Sequence, residues 1–357
     1  MKRIVCLIES LGSGGAERQI TGLAVMLKQQ GYEVEVWYYV KKEFYLPYLQ
    51  QNGVTTRYIS EAAPISKRVS VLRKCIKSYS PDTVISYSFS TNIIACALKL
   101  FGAKFKLIVS ERNTTQEITC REKRKFYLYR WADWIVPNSF SQAAFISQHF
   151  PRLVPKVTVV TNFVDMEHFS PSQERYESTE STRMICVGRM MAQKNILTFL
   201  RAIAKVVAAG HKIKVSWYGQ DLNDEYSGEC RRLLHDLNLE QYFEFYSPSA
   251  NIQNEYRNHD VFCLPSIYEG FPNVLCEAMS CGKPVLCSRV CDNPNIAKDA
   301  YNGFLFDPSS EDDITEAIIR YLNLSDDEKD AMGKASRELA LQLFSKEVFL
   351  SKYKDII

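Results

Sequence analysis

Residues 261–279 read VFCLPSIYEGFPNVLCEAM, and the reading of this stretch decides the fold. Its first six residues form a short apolar run of the kind that makes a buried strand. Gly270 and Pro272 then argue against a helix through the middle. The alternative, one straight helix carrying both Glu269 and Glu277, fails on geometry. Their eight-residue separation advances about 80° beyond two full turns, so the carboxylates would not share a face. The expected geometry is strand, then a turn with Glu269, then a helix from Pro272 or Asn273 with Glu277 one turn inside it. A helix N-terminus with free N–H groups, flanked by two acids, suits a ligand carrying both phosphate and hydroxyls.

The same rhythm extends outward from this stretch. The runs RIVCLIES, EVEVWYYV, TVISYSF, KLIVSE, WIVPNS and VTVVTN read as strands separated by amphipathic segments. After a polar gap at 171–182 the pattern restarts with MICVGRM, KIKVSWYG, FEFYS, VFCLPS, PVLCSRV and GFLF. Many runs are continuous rather than alternating, as expected for parallel strands covered on both faces. Two successive doubly wound α/β domains follow, with their shared cleft as the default ligand site. We place the first at 1–165, the second at 166–335, and a C-terminal helix at 336–357 that packs back on the first.

A chain of 357 residues is too long for one ordinary core, so two domains also agree with size. Its 46% hydrophobic and 24% charged residues are those of a globular protein and exclude a disordered one. No stretch approaches 18 consecutive apolar residues, so no transmembrane helix is expected. The apolar run in MKRIVCLIES is too short for a signal peptide. Eleven cysteines at irregular spacing favour a reducing, cytoplasmic setting over disulfides. Cys276, Cys281, Cys287 and Cys291 contain no C-x-x-C pair, and small buried hydrophobes explain them better than a metal site. The net charge of +3 hides an asymmetry: residues 1–165 carry +11 and residues 166–357 carry −8.

Two further motifs suit phosphate. The first strand ends in SLGSGGAERQ, where Gly12, Gly14 and Gly15 allow close backbone approach at a helix start. A dinucleotide fingerprint would need a small residue where Glu17 stands, which weakens a nicotinamide reading; a plain tight turn remains open. In VGRMMAQKN, Arg189 follows a strand and a glycine, and Lys194 lies near the next helix start. Two such cations can neutralise a diphosphate leaving group, although solvated surface cations are common at these positions. A glycosidase would need two acids across an open cleft, whereas Glu269 and Glu277 come from one strand–turn–helix.

Taken in order and spacing, GSGGAE, TNFVD, VGRMMAQKN and EGFPNVLCE resemble the family-four glycosyltransferases of the GT-B fold. That fold is two Rossmann-like domains facing a central cleft. The resemblance covers essentially the whole chain, with the Glu-x7-Glu element its most specific part. It implies a retaining enzyme that takes a sugar from a nucleotide diphosphate sugar, most often a UDP-sugar, without a metal or other cofactor. Arg189 and Lys194 resemble the diphosphate cations, and Glu269 the carboxylate that holds the transferred sugar. Gly270, Phe271, Pro272, Asn273 and Val274 resemble the backbone that runs along sugar and diphosphate, and Glu277 the acid on the ribose. Gly14 and Gly15 resemble the loop that closes over the phosphates. One departure is clear: many relatives carry a histidine after the fourth strand, but here none precedes His149. Ser88, Ser90, Thr91 and Asn92 are the candidates to line the site there.

Glu111 and Arg112, at the end of KLIVSE, either contact the acceptor or form an internal ion pair. The basic segments 65–79 and 121–134, the second rich in aromatic residues, fit an anionic membrane surface or a solvated face. The expected acceptor is a lipid-linked saccharide of a cell-surface polymer, met on the inner face of the membrane by a cytoplasmic, peripheral enzyme. A nucleotide-sugar epimerase of the same architecture is the alternative. A nucleic-acid binder finds no recognition motif and leaves the acidic half unexplained.

Overall fold

Strands buried on both faces need helices above and below, and the chain supplies them in strict alternation. The computed structural model describes residues 1–59, 65–115, 117–172 and 180–357. Residues 173–179 of the polar gap expected at 171–182 lie outside these. One unit comprises Met1–Phe163 with Lys346–Ile357, the other Val164–Ser345. In the first, the order is β1 (Arg3–Leu7), α1 (Gly15–Gln29), β2 (Glu33–Tyr38), α2 (Leu46–Gln51), β3 (Thr55–Tyr58) and α3 (Ile65–Tyr79). It continues with β4 (Thr83–Tyr87), α4 (Phe89–Leu100), β5 (Lys106–Glu111), α5 (Cys120–Tyr129), β6 (Trp134–Pro137) and α6 (Phe140–His149).

The second unit runs β7 (Thr182–Val187), α7 (Ile196–Ala208), β8 (Ile213–Tyr218), α8 (Glu225–Asp236), β9 (Phe243–Tyr246) and α9 (Ile252–Asn258). Then come β10 (Val261–Leu264), α10 (Asn273–Ser280), β11 (Val285–Ser288), α11 (Asn293–Ile296), β12 (Gly303–Phe306), α12 (Glu311–Leu322) and α13 (Asp326–Phe344). The last helix, α14 (Lys346–Lys354), belongs to the first unit. The helices form for ordinary reasons. In α7, Ile196, Phe199, Leu200, Ile203 and Val206 fall on one face and are all buried.

Each unit holds one six-stranded sheet, ordered β3-β2-β1-β4-β5-β6 and β12-β11-β10-β7-β8-β9. Every strand pair is parallel. Both sheets are therefore Rossmann-like and doubly wound, with the order reversing between β1 and β4 and between β7 and β10. Ligands of such sheets bind beyond the carboxyl ends of the strands at that reversal.

Two strand assignments differ from expectation. VTVVTN makes a single bridge, Val157 to Ile135, and its Thr158 and Val160 N–H groups donate to the Ile135 and Pro137 carbonyls at 3.1 Å, so it follows the β6 edge without forming a full strand. TTRY at 55–58 was not expected and forms β3, a polar edge strand with the burial pattern exposed–intermediate–intermediate–exposed. Edge strands commonly lack the apolar signal that marks central ones. At the C-terminal end, Ser336 lies inside α13 and donates to the Asn302 carbonyl at 3.2 Å, so that residue stays with the second unit. In the first unit, Phe349 of α14 packs on Phe163 at 5.0 Å between ring centres. Tyr353 meets the Tyr87 hydroxyl at 2.6 Å.

Candidate functional site

Because β7 and β10 are neighbours in the second sheet, the loops that leave their carboxyl ends must meet. These are the two stretches that sequence reading singled out. After β7, Gly188 donates its N–H to the Tyr218 carbonyl at 2.9 Å. A Cβ at Gly188 would lie 2.9 Å from Cε of Lys194, so the glycine leaves room for the lysine stem to cross the backbone. Residues Ala192–Lys194 make one 3-10 turn. Asn195 ends that turn in the left-handed region (φ 60°) and opens α7, a conformation asparagine tolerates better than most.

Four contacts join this loop to the one after β10. The Asn195 amide donates to the Pro265 carbonyl at 3.1 Å. Ile267 N–H donates to the Gln193 carbonyl at 2.9 Å, and the Gln193 amide returns one to the Tyr268 carbonyl at 2.8 Å. Lys194 Nζ meets Glu269 Oε1 at 2.6 Å, with side chains only 13% and 8% exposed. Glu269 N–H also faces Cys291 Sγ at 3.4 Å. The predicted cation and the first predicted acid are thus one fixed pair, while Arg189 on the same loop is exposed.

The turn then enters α10 with Pro272 at its N-cap. Phe271 is buried and sets its ring 5.9 Å from Phe344, edge to face. Asn273 and Val274 form the first turn, half-buried. Glu277 is the fifth residue of the helix, 6% exposed, with Tyr256 OH of α9 at 3.5 Å from Oε2. Arg189, Lys194, Glu269, Gly270 and the start of α10 therefore occupy one edge of one sheet, at its reversal point. That edge offers two cations, two low-exposure carboxylates and a helix N-terminus. It can take an elongated ligand with anionic and hydroxyl-bearing parts.

Gly14 and Gly15 lie in the first unit, at the start of α1. A Cβ on Gly14 would stand 2.2 Å from Glu17 Oε2, so the glycine makes room for a carboxylate that folds back over the helix start. Ser10 Oγ donates to Glu17 Oε1 at 3.3 Å. Ser90 donates to Glu9 at 3.1 Å and faces the Tyr39 hydroxyl at 3.0 Å. Thr91 is fully buried and spends its hydroxyl on the Tyr87 carbonyl at 2.5 Å. Ser88, between β4 and α4, adopts φ 89° and ψ 153°, a region that costs a non-glycine residue about 1–3 kcal/mol.

Glu111 is in the internal pair that sequence reading left as its second option. Its carboxylate takes Lys125 Nζ at 2.7 Å and the Tyr129 hydroxyl. Burial and that carboxylate push the Tyr129 phenol well up. Arg112 donates to Asn162 at 2.7 Å, to Tyr353 at 3.0 Å and to Tyr87. Both residues also line a pocket of about 420 Å³ with Phe89, Thr115, Arg121 and Lys125.

Sequence reading noted the glycine at 188 only as the residue before Arg189 and missed Gln193, Asn195 and Tyr256. An asparagine directly before an apolar helical run was a legible signal. The Tyr256–Glu277 contact was not, because only the packing of α9 on α10 creates it.

Comparison with known proteins agrees with this architecture. Residues 13–168 match the family described as Glycosyltransferase Family 4. Residues 171–339 match the family described as Glycosyl transferases group 1. The chain is 26% identical to the N-acetylgalactosamine-N,N'-diacetylbacillosaminyl-diphospho-undecaprenol 4-alpha-N-acetylgalactosaminyltransferase of Campylobacter jejuni, over 95% of this chain and 94% of that one. It is also 26% identical to the UDP-Gal:alpha-D-GlcNAc-diphosphoundecaprenol alpha-1,3-galactosyltransferase of Escherichia coli, over 88% and 83% of the two chains. Among solved structures, Anabaena HepE in complex with UDP superposes over 99% of both chains with a TM-score of 0.86 at 18% identity. With both sheets, their order and nearly the whole chain accounted for, this protein belongs to the family-four glycosyltransferases of the GT-B fold.

Proposed function

We propose that this glycosyltransferase moves a sugar from a nucleotide diphosphate donor, a UDP-sugar, to a saccharide linked to a lipid diphosphate, with retention at the transferred carbon. The observation that carries the donor half is the Lys194–Glu269 pair with Arg189 and Glu277 on one sheet edge. In this reading Arg189 and Lys194 stabilise charge that grows on the diphosphate as the sugar leaves. Glu269 accepts hydroxyls of the transferred sugar, and Glu277 accepts those of the ribose. The backbone of Gly270, Phe271, Pro272, Asn273 and Val274 runs between them. The two cations fill the role that a metal would otherwise take, so no metal or other cofactor is required. In this reading the first unit contributes Gly14 and Gly15 as a phosphate-binding loop and Ser90, Glu111 and Arg112 as acceptor contacts, while Thr91, fully buried with its hydroxyl on the Tyr87 carbonyl, plays a structural part. Relatives that are named for undecaprenol-diphosphate acceptors support the acceptor class. None of the relatives compared is named an epimerase.

A two-stage assay tests this. Thermal shift against UDP-, GDP- and ADP-sugars identifies the donor, since a ligand at a hundred times its Kd adds about 2.7 kcal/mol of stability. The protein is then incubated with that donor and undecaprenyl-diphosphate-linked saccharides, with and without EDTA. A lengthened lipid-linked product with the α linkage retained, formed equally in EDTA, is the expected result. Conversion of the donor to a new nucleotide sugar without acceptor would overturn the proposal, and loss of activity in EDTA would overturn its metal-free part.

A further inference from the structure

Lys194 and Glu269 are assigned above to different parts of the donor, yet they hold each other at 2.6 Å. The contact is built in. Gly188 clears the path of the lysine stem, and the Gln193 and Asn195 hydrogen bonds lock the two loops in register. Any diphosphate that takes Lys194 must therefore share or displace the Glu269 carboxylate.

The cost of doing so differs between ligands. A free nucleoside diphosphate offers oxygens to Lys194 but no donor to Glu269, so a low-exposure carboxylate gives up its lysine and receives nothing from the ligand in return. An intact nucleotide sugar brings hydroxyl donors that the carboxylate can accept once it leaves the lysine. From this we infer that Glu269 is a specificity-determining residue: its pair with Lys194 disfavours the spent nucleoside diphosphate and favours the sugar-bearing donor. The inference rests on the donor reading above and extends it to discrimination between donor and product. In a cell holding both, the pair lowers product inhibition without any moving lid.

Calorimetry on the full chain with UDP and with the UDP-sugar found by the donor screen tests this. Glu269→Gln keeps the shape and removes the charge. UDP should bind this variant more tightly by on the order of tenfold, about 1.4 kcal/mol. Affinity for the UDP-sugar should stay level or fall, so that the preference for donor over UDP collapses. In a Lys194→Gln background, Glu269→Gln should leave UDP binding unchanged, because the coupling runs through the lysine. If Glu269→Gln does not fold by circular dichroism, Glu269→Ser is measured in its place. Unchanged or weaker UDP binding in the folded variant overturns the inference. So does an equal gain in the Lys194→Gln background, which would reduce the effect to general charge. Failure of the parent to bind any nucleoside diphosphate overturns the donor reading instead.

Discussion

At Gly188 a single missing methyl group decides where the proposed diphosphate cation can lie. The residue would place its Cβ 2.9 Å from Lys194 Cε, and the lysine in turn reaches Glu269 at 2.6 Å. Lys194→Ala should therefore depress kcat on the order of a hundredfold and raise the donor KM far less. Near-normal turnover in a steady-state assay would remove Lys194 from the mechanism. Glu277 is different in kind: it lies inside α10 with the Tyr256 hydroxyl at 3.5 Å from its carboxylate. Glu277→Gln should weaken UDP binding by on the order of ten- to a hundredfold, since a hydrogen bond to a charged group contributes about 1.5–3 kcal/mol. Calorimetry with UDP alone checks it, and parent-like affinity would sink the ribose assignment. At this scale the sequence was partly legible. Glu269 and Glu277 stood out because a Gly-Phe-Pro break separated them. Lys194 stood out too, but not as a partner of Glu269, and Tyr256 not at all, because they lie 75 and 21 residues away and only strand adjacency and helix packing bring them in.

Elements read well wherever both faces of a strand are buried, because continuous apolar runs leave no ambiguity. They read poorly at the margins. β3 sits at a sheet edge with polar residues, and VTVVTN looks like a strand but follows the β6 edge with only one bridge and two further hydrogen bonds. Helix ends also carry groups that respond to pH. At the C-cap of α9, His259 is buried, and its Nδ1–H donates to the Glu255 carbonyl at 2.6 Å. Burial holds its pKa below the ordinary value, with Arg183 acting in the same direction and the Glu255 carbonyl and the Glu255 and Asp260 carboxylates opposing. A folded pKa below the unfolded one means the neutral ring is favoured by folding. Its contribution is fully present above the unfolded histidine value of about 6.5 and is lost as pH falls through the folded value. Melting temperature measured from pH 8 down to 5 should therefore drop more steeply in the parent than in His259→Gln. Parallel curves would show that the ring does not titrate with folding.

Across the whole molecule the charge is split, +11 on residues 1–165 against −8 on the remainder, and the structure shows which of those cations reach solvent. Among the described residues no helix is long and apolar enough to cross a membrane. In α3, Leu72 and Ile76 are buried in the first core while Lys67, Arg73, Lys74 and Lys77 are exposed. That helix is docked, so it offers charge but no apolar insertion. In α5 the apolar and basic faces are rearranged from simple expectation. Lys125 is buried between Glu111 and Glu122, whereas Tyr127 is 58% exposed and packs with Trp131 and Arg130. Lys123 and Arg124 flank it on the surface. Cations beside exposed aromatic rings are what an anionic bilayer surface attracts, at about 1 kcal/mol per cation. A lipid-linked acceptor would give the enzyme reason to be there. Cosedimentation with liposomes should need anionic lipid, weaken with added salt as Debye screening requires, and fall several-fold in the Lys123→Glu, Arg124→Glu double variant. Lys125 must be left alone in that design, since its loss would strand the Glu111 and Glu122 carboxylates inside the fold. Equal recovery in the supernatant with and without anionic liposomes at low salt would refute the membrane surface and leave the transferase assignment standing.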